Sequence, residues 1–370
     1  MLSDRADTTD ADFGLPEPIP ALAGVQRLRE GGSERDGYIG LDRNERLSPL
    51  PSEAVEAIRA ALGPDELTKY PNTEPLYEQL AGQLGIARER LRLTAGSDAA
   101  IRALHHCYVT PGDRTVSLDP SYAMYPVYTR MFGGEPLQVP FDEQLRIDGD
   151  ALLSAIAPGV KLVLLAEPNQ PTGTALGDDL LAQVLERAAA ARALVVVDEA
   201  YFPFSEHTVL PWLDEHPQLV VTRTFSKAWG LAGLRIGFAA GAPAVIETLY
   251  KVRTAYDVNA AAAAAAQVLL ARPEVAADYA AEVAAGRRRL ELRTRALGLS
   301  PLPGYTNFAL VSVAPADPEQ LATRLLARRF IIRGGFAAPG LAGCIRITLG
   351  PPELMDRFAD ALEEVLRDSG

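Results

Sequence analysis

The sequence predicts an α/β fold: a mostly parallel central sheet flanked by helices, joined to a smaller α+β lobe. Three observations predict it. Short apolar bursts rich in β-branched residues, "TVSLD", "KLVLLAEP", "ALVVVDEAY" and "LVVTRTFSK", alternate with alanine- and leucine-rich helical stretches. Each burst is too short for a helix and apolar throughout, which suits strands covered on both faces of a parallel sheet. The pattern then changes character towards the C-terminus, and 370 residues are more than one core usually supports.

Along the chain, residues 1–45 are read as an N-terminal arm that also supplies part of the small lobe, 46–255 as the large domain, and 256–370 as the small C-terminal domain. The acidic, polar start "MLSDRADTTDADFG" is expected to be mobile, and it lacks the charged-then-apolar pattern of a secretion signal. The tract "NAAAAAAAQVLL" at 259–270 reads as a buried or interface helix, because alanine is the best helix former and its small side chain permits close packing. After it come the long helix around "EVAAGRRRLELRTRALGL", the strand "NFALVSV", the helix "PEQLATRLLARRF", the strand "CIRITLG" and a last helix from "PPELMDRFADALEEVLRD".

Composition excludes several classes of function. A net charge of −12 with only short basic clusters makes nucleic acid and anionic membranes poor partners. No apolar run is long enough to cross a bilayer. Two cysteines, Cys107 and Cys344, cannot form a disulfide framework, and a reducing cytoplasm is expected. The four histidines do not fall at metal-ligand spacings, so no metal is expected. HExxH and phosphate-loop patterns are absent, and "GLAGLRIG" lacks the glycine spacing of a dinucleotide fingerprint.

In open α/β sheets ligands sit beyond the carboxyl ends of the strands. The residues that close each burst are chemically usable: Tyr122 in "VSLDPSYAMY", Asn169 in "LLAEPNQPTG", Asp198 and Tyr201 in "VVVDEAY", and Thr224, Ser226 and Lys227 in "VVTRTFSK". A Gly96-Ser97-Asp98 turn opens a further helix. Taken singly, Asp198 could cap the next helix and Tyr122 could simply pack in the core. Taken together they suit pyridoxal 5'-phosphate, which needs a lysine for a Schiff base and an acid for its pyridine nitrogen. Lys227 would supply the first and Asp198 the second. Asn169 and Tyr201 would donate to the phenolate oxygen, and Tyr122 would stack on the ring. The Gly96-Ser97-Asp98 turn, Thr224, Ser226 and Arg235 would hold the phosphate.

The motifs "KYP", "AGSDAAI", "PSYAMY", "PNQPTGT", "VVDEAYFPF", "TRTFSKAWGLAGLRIGF" and "CIRITLG" resemble, in this order, the fold type I pyridoxal phosphate enzymes of the class I/II aminotransferases, most closely the histidinol-phosphate aminotransferase family. The resemblance implies an aspartate aminotransferase-like fold and a homodimer with its active site at the subunit interface. It implies that Tyr70 reaches the phosphate of the neighbouring subunit, that Arg346 grips the acidic group of the substrate with Arg333 as companion, and that Asn44 and Asn169 also touch substrate. The chain departs from the family pattern in three places: Arg46 stands where proline is common, the aromatic residue often found shortly upstream is not evident in "PALAGVQRLREGG", and Gln170 stands where asparagine is frequent. The expected reaction moves an amino group from an anionic amino compound, histidinol phosphate or a related one, to a 2-oxo acid. Threonine-phosphate decarboxylases share these motifs and are the alternative, since sequence does not show which α-carbon bond stands perpendicular to the ring.

Overall fold

A computed structural model of the chain describes residues 17–23, 25 and 35–368; the acidic start, residues 1–14, expected above to be mobile, lies outside them. The strands are β1 Ile39–Gly40, β2 Leu91–Thr94, β3 Arg114–Asp119, β4 Glu135–Pro140, β5 Val160–Ala166, β6 Leu194–Asp198, β7 Leu219–Thr224, β8 Gly237–Gly241, β9 Ser300–Pro301, β10 Phe308–Ser312, β11 Phe330–Ile331 and β12 Cys344–Thr348. Seven of them form the large sheet, in the order β2-β8-β7-β6-β5-β3-β4. Pairing is parallel throughout except at β8, which runs antiparallel to both neighbours.

The apolar bursts form the central strands because both sheet faces are covered. Val163, Leu165, Val195, Val197, Leu219 and Val221 point into the larger core. Their alternates Leu162, Leu164, Val196 and Val220 point into a second cluster, under the helix Ser97–Tyr108. Period-two alternation thus serves both faces, each fully buried side chain contributing roughly 1.5–3 kcal/mol. The smaller lobe has its own core, in which Leu41 and the antiparallel strands β10 and β12 meet the apolar stripe Met355, Phe358, Leu362 and Val365 of the helix Pro352–Arg367. β1 pairs in parallel with β11, so chain from the N-terminal side completes this lobe.

One expectation needs correction. The alanine tract, assigned to the small domain by a boundary at 255/256, forms the helix Ala260–Leu270 and packs against the helices Ser52–Ala61 and Glu74–Leu84 in the larger core. Alanine side chains let three helices approach closely, which composition alone does not assign to either lobe. The change of core falls inside the next helix, Glu274–Ala296: Val275 belongs to the larger core, while Tyr279, Val283 and Leu290 belong to the smaller one. That helix joins the lobes.

Candidate active site

β5, β6 and β7 end side by side, and β2 delivers the helix Ser97–Tyr108 beside them. A cavity of about 180 Å³ lies at these ends, lined by Ser97, Asp98, Tyr122, Gln170, Asp198, Tyr201, Thr224, Ser226, Lys227 and Arg235 among others. Sheet register explains why distant residues share it. Gly237, the first residue of β8, pairs with Thr94 on one side and Thr224 on the other. A Cβ on Gly237 would lie 2.7 Å from the backbone nitrogen of Ser97 and 2.6 Å from the carbonyl oxygen of Arg223. The glycine therefore lets the Gly96-Ser97 turn lie directly against the end of β7.

At that end of the cavity Gly96, with φ +87°, caps the helix, whose first N–H groups have no intrahelical acceptor. The Thr224 hydroxyl donates to Ser226 Oγ at 2.9 Å, and Arg235 Nη1 donates to the same oxygen at 3.2 Å. A Cβ on Gly96 would come within 2.8 Å of Arg235 Nη2, so the guanidinium rests on the turn itself. Helix N-terminus, hydroxyls and a fixed cation together make a cradle for a dianion. The helix also carries Asp98, which accepts from the hydroxyls of Tyr122 at 3.0 Å and Tyr128 at 2.8 Å. Burial and the neighbouring Asp98 push the Tyr122 hydroxyl well above the usual phenol range.

The middle of the cavity holds a carboxylate and an amine. Asp198 closes β6, buried, accepting from Thr222 Oγ1 at 2.8 Å and more weakly from the Tyr125 hydroxyl at 3.4 Å. Its cross-strand partner in register is Thr222. Burial raises its pKa to about 6 against the help of these donors. Lys227 follows β7, and its Nζ donates to the Arg43 carbonyl at 3.0 Å. Burial first, then the nearby charge of Arg346, lowers its pKa to about 8. Tyr201 lies between the lobes: its hydroxyl accepts from Asn44 Nδ2 at 2.9 Å and donates to Gln170 Oε1 at 3.2 Å, and burial pushes it up to about 12. Asn44, at φ 54°, is buried and held by Thr348 and Asn307.

Arg346 on β12 stands at the margin of this group. It is 6% exposed, its Nη2 donates to the Asp42 carbonyl at 2.7 Å, and its buried Nε has no partner. A buried guanidinium N–H left without a partner among the described residues, in a group whose charge acts on Lys227 and Tyr201, marks a position suited to an anion. A larger cavity of about 450 Å³ flanks the other part of the helix Ser97–Tyr108 and is lined by Arg92 and Arg253. It carries no lysine, and its Arg92 is already paired with Asp257, so the chemistry lies in the smaller space.

A family model described as aminotransferase class I and II matches residues 36–362. The chain belongs to that aminotransferase family. A histidinol-phosphate aminotransferase 2 of Pseudomonas aeruginosa is 36% identical over 356 residues, 95% of this chain and 94% of that protein. A histidinol-phosphate aminotransferase of Dehalococcoides mccartyi is 32% identical over 331 residues, 88% of this chain and 90% of the relative. Among solved structures, histidinol-phosphate aminotransferase from Sinorhizobium meliloti in complex with pyridoxal-5'-phosphate superposes with a TM-score of 0.86 at 28% identity, covering 97% of this chain and all of that one.

Within this aminotransferase Ser97, Asp98, Tyr122, Asp198, Tyr201, Thr224, Ser226, Lys227 and Arg235 line the cavity; Gly96, Asn44 and Arg346 stand behind it, against Arg235, Tyr201 and Lys227; and Asn169, Tyr70 and Arg333 are turned elsewhere. Asn169, expected on the cofactor and substrate, is fully buried behind the wall: its amide donates to Pro120 O and Thr172 Oγ1 and accepts from Ser121 Oγ. The turn closed by Asn169 N to Thr174 O and Gly173 N to Asn169 O turns the next side chain inward, so Gln170 faces the cavity instead. Tyr70 is 77% exposed and stacks on Tyr256 at 4.1 Å, away from this chain's own cavity. Arg333 is exposed and meets Arg346 through backbone hydrogen bonds. Sequence reading also missed Tyr125 and Thr222. Tyr125 follows Tyr122 at helical spacing, a signal that could have found it; Thr222 is known only from the pairing of β6 with β7.

Proposed function

We propose that the cavity holds pyridoxal 5'-phosphate and that the enzyme moves an amino group from an anionic amino compound, histidinol phosphate foremost, to a 2-oxo acid. One observation carries this reading: the Lys227 amine and the buried Asp198 carboxylate face one cavity that ends in the Gly96, Ser97, Thr224, Ser226 and Arg235 cradle. The donor set fits the cofactor at each end, with a dianion site, an acid for the ring nitrogen and an amine for the aldehyde. When bound, the cofactor supplies an electron-withdrawing ring that loosens a proton on the substrate's α-carbon.

The chain's own residues supply the remainder. Asp198 holds a proton at the ring nitrogen, oriented by Thr222 and Tyr125. Lys227, with its pKa lowered to about 8, is a usable base near neutral pH and moves the proton at the α-carbon. Tyr201, aimed by Asn44, and Gln170 present hydrogen-bonding groups to the ring edge, and Tyr122 limits its tilt. Arg346, behind Lys227 and Tyr201 with its buried Nε unpartnered among the described residues, would present its planar fork to a carboxylate or phosphate, with Arg333 beyond it. These two arginines favour an anionic substrate, and the names of the relatives favour histidinol phosphate among such substrates. An amino-donor panel including histidinol phosphate, aromatic amino acids and phosphothreonine, read by loss of the cofactor's visible absorbance and by trapped carbon dioxide, tests the reading. Histidinol phosphate should convert the cofactor with no carbon dioxide; release of carbon dioxide from phosphothreonine would overturn it in favour of decarboxylation.

The active protein is a homodimer in this reading, working in the cytoplasm with the domain roles read from sequence for its two lobes. What supports the dimer is the Tyr70–Tyr256 stack, which is exposed and does not line its own cavity, as expected of a tyrosine that serves the phosphate cradle of a second copy. Mixing inactive Lys227→Ala subunits with cofactor-deficient Tyr70→Ala subunits is then expected to restore turnover, because a mixed dimer holds one intact site. No recovery after subunit exchange would place Tyr70 outside the site.

A further inference from the structure

Arg46 does a job that neither the cofactor nor the substrate explains. Its Nη1 donates to the carbonyls of Ala228 at 2.8 Å and Val275 at 3.0 Å, and its Nε donates to that of Ser48 at 3.1 Å. Its guanidinium lies 4.2 Å above the ring of Tyr279. These contacts come from three places that meet at the lobe junction. Ala228 is fully buried and directly follows Lys227. Val275 opens the helix that joins the lobes, and Tyr279 lies one turn further along it. Arg46 itself ends the segment whose earlier residues touch the rest of the site: Asp42 O on Arg346, Arg43 O on Lys227, Asn44 on Tyr201.

The lysine loop is shaped around this side chain. Gly230 has φ +73°, and a Cβ there would stand 2.7 Å from Arg46 Cδ. Stacking on Tyr279 fixes the plane of the guanidinium, and only then does one nitrogen bridge two carbonyls. A lysine offers a point charge without that plane.

We propose that Arg46 is a positioning residue for Lys227: by bridging the Ala228 and Val275 carbonyls it fixes the Ser226–Ala228 loop to the lobe junction and keeps the amine aimed into the cavity. This rests on the reading of Lys227 as the catalytic amine. The charged groups that face that amine, Arg346, Glu45, Arg235 and Asp198, act on it only while the loop holds it among them.

The test uses Arg46→Met, Arg46→Lys and Gly230→Ala, with Arg289→Met, which breaks an ion pair to Asp356 within the small lobe, as the control for general destabilisation. The first readout is the pH dependence of Lys227 trinitrophenylation by trinitrobenzenesulfonate, with loss of sulfite, in cofactor-free protein, followed by peptide mass spectrometry; the second is kcat and KM of the loaded enzyme. In the parent protein trinitrophenylation is expected to rise through about pH 8. In Arg46→Met the inflection should move up by about one pH unit as water reaches the loop. There kcat should fall roughly 10- to 100-fold, the loss small misplacements produce, with KM nearly unchanged. Arg46→Lys should recover part of both, and Gly230→Ala should resemble Arg46→Met. Should Arg46→Met fail to fold, Arg46→Lys and Gly230→Ala decide by the same two readouts. A parental inflection and kcat in these variants, or losses matched by Arg289→Met, would overturn the proposal. Persistent turnover in Lys227→Ala would instead remove the reading of Lys227 beneath it.

Discussion

Replacing Lys227 with alanine is expected to abolish amino transfer, lowering kcat by about 10⁴-fold or more, without unfolding the protein. Lys227 is the primary amine among the residues that line the cavity, so no neighbour can take over either attachment of the cofactor or the proton at the α-carbon. Arg235 and Arg346 are engaged with Ser226 and the Asp42 carbonyl, and a guanidinium is no substitute for a primary amine. Loss of the side chain should cost little stability. Among the described residues its Nζ makes one hydrogen bond, to the Arg43 carbonyl, and burial already disfavours its charge. Steady-state turnover measured beside urea unfolding separates the two effects: the midpoint should stay within the range of surface substitutions while activity vanishes. Turnover within tenfold of the parent would show that another group carries the chemistry.

Asp198→Asn is expected to produce opposite changes in activity and stability. Activity should fall by at least about 10²-fold, because an amide keeps the shape and the hydrogen bond from Thr222 but holds no proton at the ring nitrogen. Stability of the cofactor-free protein should rise. Burial moves the Asp198 titration from 3.8 to about 6, so between those pH values the folded state binds more protons than the unfolded one. The free energy of unfolding therefore falls as pH rises through this window. By pH 7 the ionised, nearly fully buried carboxylate costs about 3 kcal/mol relative to its protonated form. The neutral amide removes that cost. Urea unfolding from pH 4 to pH 7 should show the variant more stable than the parent at pH 7, with the gap closing near pH 4. A variant less stable at pH 7, with the parent's pH dependence, would contradict this account. Such a strained acid is what a functional site retains at the expense of stability.

Much of this site was legible in the sequence because parallel sheets place chemistry by a local rule. A strand buried on both faces is apolar until it ends, so its first polar residue marks the sheet edge where ligands bind. Asp198, Thr224, Ser226 and Lys227 were found that way, and all line the cavity. The rule weakens where the chain turns instead of ending a strand. In "PNQPTG" the choice between Asn169 and Gln170 depends on how two backbone hydrogen bonds close the turn, and that geometry gives the cavity to Gln170.

Other features had no local signal. The alanine tract declared its helix but not its neighbours, because small side chains suit any close contact; only packing against the helices Ser52–Ala61, Pro64–Thr68 and Glu74–Leu84 assigned it. Arg46 reads as one more charged residue in a polar segment until Ala228, Val275 and Tyr279 come within reach of it. Sequence by itself determined the sheet, its two-faced burial and the residues at its edge, since those follow from alternation and chain direction over a few residues. Tertiary structure alone decided what supports them, from Thr222 on Asp198 to Arg46 on the lysine loop. Those contacts join residues dozens to hundreds of positions apart, and only the folded core brings them to hydrogen-bonding distance.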